Sequence, residues 1–185
     1  MEKMKLALQP LNMEDIELVD EMYNDEAVFQ TAILGYNYPQ SRLLLKGKLE
    51  SWITNKSQKH FKIMAEEAVG IAQIHDIHGV NRTCKLGIMI KPAFWGKGYG
   101  PEVLRQLEHI CFNDIGLRRI EAEVLATNER VLAMMEQGHY EREGVRKEAV
   151  FKNGRFVDVH YYGKINDTSM DLGRYDLGKE VEKIK

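Results

Sequence analysis

The segment from Leu86 to Asn113 constrains this chain more than any other stretch. A β-like run over Thr83–Ile90 is halted by Pro92, and three alternate glycines follow in Trp95-Gly96-Lys97-Gly98-Tyr99-Gly100. Beyond them Val103, Leu104, Leu107, Ile110 and Cys111 recur at helical spacing, and Gly116 marks the end of that helix. Glycines weaken the start of a helix. They suit a place where the backbone must approach another molecule closely, because no Cβ stands in the way. Consecutive N–H groups at a helix start, aided by the helix dipole, make an anion site that suits a pyrophosphate. The fold must therefore set a strand end, a tight loop and a helix N-terminus around one opening.

The flanking patterns supply the other elements. Leu6–Pro10 reads as a first strand. Asn12 is placed to cap a helix that carries Ile16, Leu18, Val19 and Met22, with Glu14 and Asp15 in its first turn. Residues 24–40 read as a loop, broken by Gly35, Asn37 and Pro39. Ser41–Asn55 reads as a second helix with Leu44, Leu45, Leu49, Trp52 and Ile53 on its apolar side. His60–Ala65, Ala68–Ile77 and Thr83–Ile90 form an antiparallel meander. Arg119–Leu125 is β-like and Asn128–Gln137 a short helix. Tyr140–Phe151 and Phe156–Ile165 are strands joined at Asn153-Gly154, a hairpin signal. Together these predict one mixed α/β (α+β) domain over residues 1–165 and a polar tail over 166–185, with no internal repeat.

Composition narrows the partners. The 26 basic and 28 acidic side chains leave a net charge of -2, against the surplus of cations that a nucleic-acid binder needs. No apolar run of roughly 18 residues is present, so no membrane span is expected. Cys84 and Cys111 are too few for a disulfide framework and lie in apolar surroundings. Reduced, buried thiols, and an N-terminus without the apolar stretch of a signal peptide, point to the cytoplasm. His75, His78 and the cysteines lack zinc spacing, so no metal is expected.

Three phosphate loops compete for the glycines. A P-loop would need Ser or Thr after its Lys, but Lys97 is followed by Gly98. A dinucleotide loop needs a different glycine spacing after the first strand of a parallel βαβ unit, whereas here a meander precedes. The third is the coenzyme A loop of N-acetyltransferases. Residues 86–100 resemble the cofactor motif of the GNAT superfamily: Gln or Arg, two residues, Gly, one residue, then Gly or Ala. Trp95 stands at the Gln/Arg position, as is usual in the ribosomal-protein alanine N-acetyltransferase (Rim-type) branch. Asn128 to Val131, Met134 to Tyr140, Arg142 to Val145 and Asn153 to Asp158 also resemble that branch, in the right order.

This resemblance implies a single GNAT-like domain. Its twisted, mostly antiparallel sheet would have about seven strands, with about four helices and a parted central strand pair. It implies acetyl-CoA as acetyl donor and an amine as acceptor. Ile88 and Ile90 would offer backbone groups to the pantetheine, and the Met89 N–H would aim at the thioester carbonyl. Trp95, Gly96, Lys97, Gly98, Tyr99 and Gly100 would hold the diphosphate, and Asn128 would both cap its helix and bond the pantetheine. Met135 stands where many relatives carry a tyrosine acid, and is expected to pack on the cofactor.

Amines are largely protonated at neutral pH, with α-amines near about 8 and lysines near about 10.4, so a base is required. Glu123, Glu121, His75 and Asp76 are the candidates; the two glutamates share one strand face. Lys85 occupies a place where relatives often carry Glu. His139 replaces the usual Gly and reads as a loop histidine. Phe29, Tyr36 and Tyr38, with Trp52, lie where the family builds its acceptor pocket, and Asp25 and Glu26 are placed to attract a cation. The expected acceptor is a protein N-terminal α-amine or a small molecule, with a polyamine, as in spermidine/spermine N-acetyltransferases, as the alternative. An amino sugar, a non-catalytic acyl-CoA sensor, a structural module without cofactor and a homodimer also remain open.

Overall fold

The structure is a computed structural model and describes residues 6–36 and 38–166. The predicted tail therefore lies, but for Asn166, outside the described residues. Seven strands form one sheet: β1 (Ala7–Pro10), β2 (Lys59–Met64), β3 (Ala68–His78), β4 (Thr83–Ile90), β5 (Arg119–Leu125), β6 (Glu141–Lys152) and β7 (Arg155–Ile165). Their order is β1-β2-β3-β4-β5-β7-β6. Every neighbouring pair is antiparallel except β4 and β5, which run parallel.

Five α-helices flank the sheet: α1 (Ile16–Asn24), α2 (Glu26–Thr31), α3 (Arg42–Thr54), α4 (Tyr99–His109) and α5 (Glu129–Gln137). The one the sequence reading leaves as loop is α2. The Asp25 carboxylate accepts from the Val28 N–H at 3.0 Å and caps it, with Glu26 in its first turn. Burial of Val28 and Phe29 then holds a helix too short to persist alone. Ser41 caps α3 in the same way, through the Leu44 N–H. The Asn153-Gly154 turn forms as expected, both residues taking the left-handed φ that a tight hairpin requires.

The sheet divides two cores. On one face α4 and α5 cover Ala72, Ile74, Leu86, Ile120, Ala122 and Val124. On the other, α1, α2 and α3 cover Ile71 and Met89. Ile71 against Ala72 and Ile74 is the alternation of a strand buried on both sides. A smaller cluster of Leu125, Val150, Val157 and Val159 lies under the β6–β7 hairpin, and Leu34 packs against it. Cys84 and Cys111 are buried free thiols, their sulfurs 3.6 Å apart. Among the described residues no helix is long and apolar enough to cross a membrane.

Candidate active site

The parallel pair β4–β5 is joined only at its start. Thr83, Cys84 and Lys85 pair with Arg119, Ile120 and Glu121. From Leu86 and Ala122 onward the two strands have no partner in each other, so the middle of the sheet is forked. A cavity of about 710 Å³ occupies the fork, lined by both strands, the glycine loop, α5 and residues 31–34.

The strand ladder decides which backbone groups face that opening. The Lys91 N–H donates to the Val69 carbonyl on β3 at 2.9 Å. In an antiparallel ladder the direction alternates by residue. Met89 is therefore turned toward β3, and Ile88 and Ile90 toward the fork. At Gly70, opposite, an added Cβ would collide with the Met89 carbonyl oxygen, so β3 and β4 are pressed together at that point. The Ile90 carbonyl is already engaged: the Trp95 indole N–H donates to it at 2.7 Å. The Arg130 guanidinium lies 3.8 Å over the Trp95 ring, so Trp95 fixes the loop to the strand on one side and Arg130 on the other.

Gly96 and Gly98 have φ of +76° and +80°, which side-chain-bearing residues rarely adopt. At Gly100 an added Cβ would sit 3.0 Å from the Met134 sulfur. Among the described residues the N–H groups of Gly96 to Gly100 have no acceptor within the protein. They surround the start of α4, whose dipole favours an anion there. Gly96, Gly98, Tyr99 and Gly100 line the cavity. Lys97 does not, its ammonium lying 4.7 Å over the Phe94 ring.

Charged side chains gather where the fork begins. Lys85 donates to the Glu123 carboxylate at 2.6 Å and stands 3.4 Å from Asp76. Asp76 in turn lies 3.6 Å from His75 Nδ1. Asp76 has φ +51° at the irregularity between His75 and His78, a bulge that brings its carboxylate to Lys85. The bond to Glu123 holds the Lys85 ammonium above its usual range, so it stays charged. His75, Lys85 and Glu123 line the cavity. Glu121 does not: it is bound to Arg119 at 2.8 Å, and Arg119 also clamps Glu143. Behind this group His60 stacks on Trp52 at 4.6 Å, its pKa lowered to about 4 by burial and by the nearby His75.

The model of the acetyltransferase (GNAT) domain matches residues 5–141. The chain belongs to the GNAT family. Over 162 residues it is 22% identical to an uncharacterized N-acetyltransferase of Bacillus licheniformis, covering 85% of this chain and 91% of that protein. It is 22% identical over 151 residues to the spermidine N(1)-acetyltransferase of Escherichia coli K12, covering 80% of each. The crystal structure of spermidine N-acetyltransferase from Vibrio cholerae in complex with CoA and spermine has the same fold, with TM-score 0.82 and 21% identity, over 88% of this chain and 96% of that one. As a GNAT enzyme the chain uses acetyl-CoA to acetylate an amine.

The other expected GNAT residues fall out unevenly. Asn128 and Met135 line the cavity. The Asn128 amide accepts from the Val131 N–H at 3.3 Å, as a cap, and donates to the Thr31 carbonyl at 3.0 Å. Met135 is buried. None of Phe29, Tyr36 and Tyr38 lines the cavity. Because α2 forms, Phe29 turns into the core. Tyr36 packs on Tyr23 and Tyr38, while Tyr38 is 64% exposed. The wall expected from these aromatics is built instead by Thr31, Ala32, Ile33 and Leu34. His139 has φ +58°, the left-handed backbone that glycine takes freely, at the position where the family resemblance leads one to expect Gly. Sequence reasoning gave no role to Arg130 or Lys152. Arg130 was visible only as part of the Asn128–Val131 motif, and a lone lysine in a strand carries no signal at all.

Proposed function

We propose that this GNAT enzyme acetylates a primary amine of a small molecule, with polyamines as the acceptor class. One observation carries the reading: a forked parallel strand pair opens beside five N–H groups that have no acceptor among the described residues. That combination fits coenzyme A, whose diphosphate suits the amides of residues 96–100 and whose pantetheine suits the free edge of β4. Acetyl-CoA supplies the acetyl group as a thioester.

Ile88 and Ile90 hold the pantetheine arm through backbone groups facing the fork. The Ile88 N–H, rather than that of Met89, is the donor turned toward a carbonyl oxygen there. Each end of the Asn128 amide keeps one further hydrogen-bonding valency, enough to contact the arm without leaving its cap. Met135 packs beside it and offers no proton to a departing thiolate. Glu123 accepts the proton of the incoming ammonium, and Lys85, itself flanked by Asp76, holds the carboxylate in place.

The acceptor class is supported by two features. Spermidine N-acetyltransferases are among the relatives and the structural neighbours. Residues 13–26, along α1 and into α2, carry Glu14, Asp15, Glu17, Asp20, Glu21, Asp25 and Glu26 with no intervening Lys or Arg. Asp15, Glu17 and Glu21 of this run are paired with Lys62, Arg42 and Lys91, so Glu14, Asp25 and Glu26 are the charges that favour a polycation near Tyr23 and Val28, which line the cavity. A thioester-cleavage assay with polyamines, peptides and amino sugars tests the reading. Spermidine is expected to give the highest kcat/KM. Preference for a peptide α-amine would return the chain to the ribosomal-protein type. Tight acetyl-CoA binding without turnover of any amine would make it an acyl-CoA sensor.

A further inference from the structure

The strand pair β6–β7 lies mostly beyond the residues matched by the GNAT model, yet it reaches back to the segment that carries one wall of the cavity. Lys152, the last residue of β6, is a lysine only 3% exposed. Its ammonium donates to the Phe29 carbonyl at 2.8 Å and the Tyr36 carbonyl at 2.6 Å. Among the described residues it pairs with no carboxylate. Between those carbonyls lies the Thr31 carbonyl, which the Asn128 amide holds at 3.0 Å. Leu34, in the same segment, packs on the cluster of Leu125, Val150, Val157 and Val159 under the hairpin. Three backbone carbonyls of one eight-residue stretch, 29–36, are thus gripped by two side chains from the other half of the chain. Thr31 to Leu34, inside that stretch, line the same cavity as Glu123.

A buried ammonium is costly unless its N–H groups are satisfied. The carbonyls of Phe29 and Tyr36 satisfy two of the three. Burial lowers the Lys152 pKa from its usual value, a sign that the charge is held there at some expense. An apolar residue would cover the hairpin core with less strain, so the lysine is explained by what it fastens. We propose that Lys152 is a positioning residue for the acceptor, its buried ammonium fixing residues 29–36 as the wall against which the amine is oriented. Asn128 ties the same wall to the coenzyme side, so the two substrates meet across one shared segment. The proposal rests on the acceptor site assigned above, but its structural half can be tested without turnover.

Two arms separate these questions in Lys152→Met and in Lys152→Gln, which keeps two N–H donors without the charge. The first is amide hydrogen exchange of residues 29–36. The second is calorimetric binding of spermidine to the CoA-loaded protein, with KM and kcat for the best amine of the panel. For Lys152→Met we expect exchange of the segment at least about tenfold faster and an acceptor affinity about tenfold weaker. Acetyl-CoA affinity should stay within about twofold, since no coenzyme-side group is removed. Lys152→Gln should recover part of both effects, and stands in for Lys152→Met if that variant does not fold. Exchange as slow as in the wild type overturns the proposal. So does faster exchange with unchanged acceptor binding, or an equal loss of coenzyme and acceptor affinity, which marks a general packing role. If wild-type spermidine binding is absent, the polyamine reading has failed, and the exchange arm together with KM for the best other amine still decides the role of Lys152.

Discussion

The two walls of the fork are made of different material. On the coenzyme side the groups are backbone ones: Ile88 and Ile90 line the cavity, and the N–H groups of residues 96–100, around the start of α4, have no acceptor among the described residues. On the acceptor side they are side chains, and these are mostly bound to one another. Lys85 holds Glu123, Asp76 touches both Lys85 and His75, and Lys152 and Asn128 hold residues 29–36. A phosphate-bearing ligand common to the whole family can be met by a backbone that no substitution alters, provided glycine allows the approach. An acceptor that differs among enzymes is met by side chains, whose charges must be neutralised while the site waits. The contrast predicts that coenzyme-side changes act on affinity for acetyl-CoA and acceptor-side changes on turnover.

The sharpest break should come at Gly98. Its φ of +80° costs roughly 1–2 kcal/mol for a residue with a Cβ, and a β-branched one is worse. Gly98→Val should force the loop into another shape and scatter the amides around it. Losing two charge-assisted hydrogen bonds at about 1.5–3 kcal/mol each predicts acetyl-CoA binding weaker by about 1000-fold. Calorimetry should show this with the fold intact by circular dichroism. Binding unchanged within a factor of about ten would remove the amides from the site.

On the opposite wall Glu123→Gln should do the reverse. Removing the proton acceptor predicts a fall in kcat of about 10²–10³-fold, with acetyl-CoA affinity nearly unchanged. Glu121→Gln is the control, because Glu121 is bound to Arg119 away from the cavity. If the two variants lose equal activity, the base is neither of them, and His75 becomes the next group to replace.

How far each wall could be read from sequence follows the same division. The glycine loop was legible because φ near +80° and close approach leave only one residue type suitable. The hairpin at Asn153-Gly154, the caps Asn128 and Ser41, and the strand pattern were legible for similar local reasons. The acceptor wall was not. Whether residues 24–40 hold a helix depended on the Asp25 cap and on tertiary burial of Phe29, and breakers at Gly35 and Pro39 masked both. The grip of Lys152 on residues 29–36 spans more than a hundred positions, and no window along the chain contains it. The Met89 N–H, expected to face the thioester, turns toward β3, because the direction of a peptide N–H depends on ladder phase, which a sequence of three apolar residues does not carry.

His60 offers a test of how dry the packing between β2 and α3 is. Burial beside Trp52 and near His75 lowers its pKa from 6.5 to about 4. The folded protein therefore keeps His60 neutral while the unfolded chain takes up a proton below about 6.5. Its contribution is present above that value and is lost as pH falls from 6.5 toward 4, by roughly 2–3 kcal/mol. Urea melts across this window should show the loss, and His60→Phe, which retains stacking on Trp52, should flatten it. A wild-type curve as flat as that of the variant would mean that water reaches the imidazole.

The smallest expected effect tests the seam between loop and strand. The Trp95 indole N–H is spent on the Ile90 carbonyl, which would otherwise face the fork, and its ring carries the Arg130 guanidinium. Trp95→Phe keeps an aromatic face for Arg130 and removes only the donor. One neutral hydrogen bond is worth about 1 kcal/mol, so acetyl-CoA affinity should fall by about fivefold, with kcat little changed. The sign is the informative part. If the bond anchors the loop, its loss loosens the amides at 96–100 and binding weakens. If binding tightens instead, the freed Ile90 carbonyl has gained a partner on the pantetheine, and the indole has been competing with the coenzyme for the edge of β4.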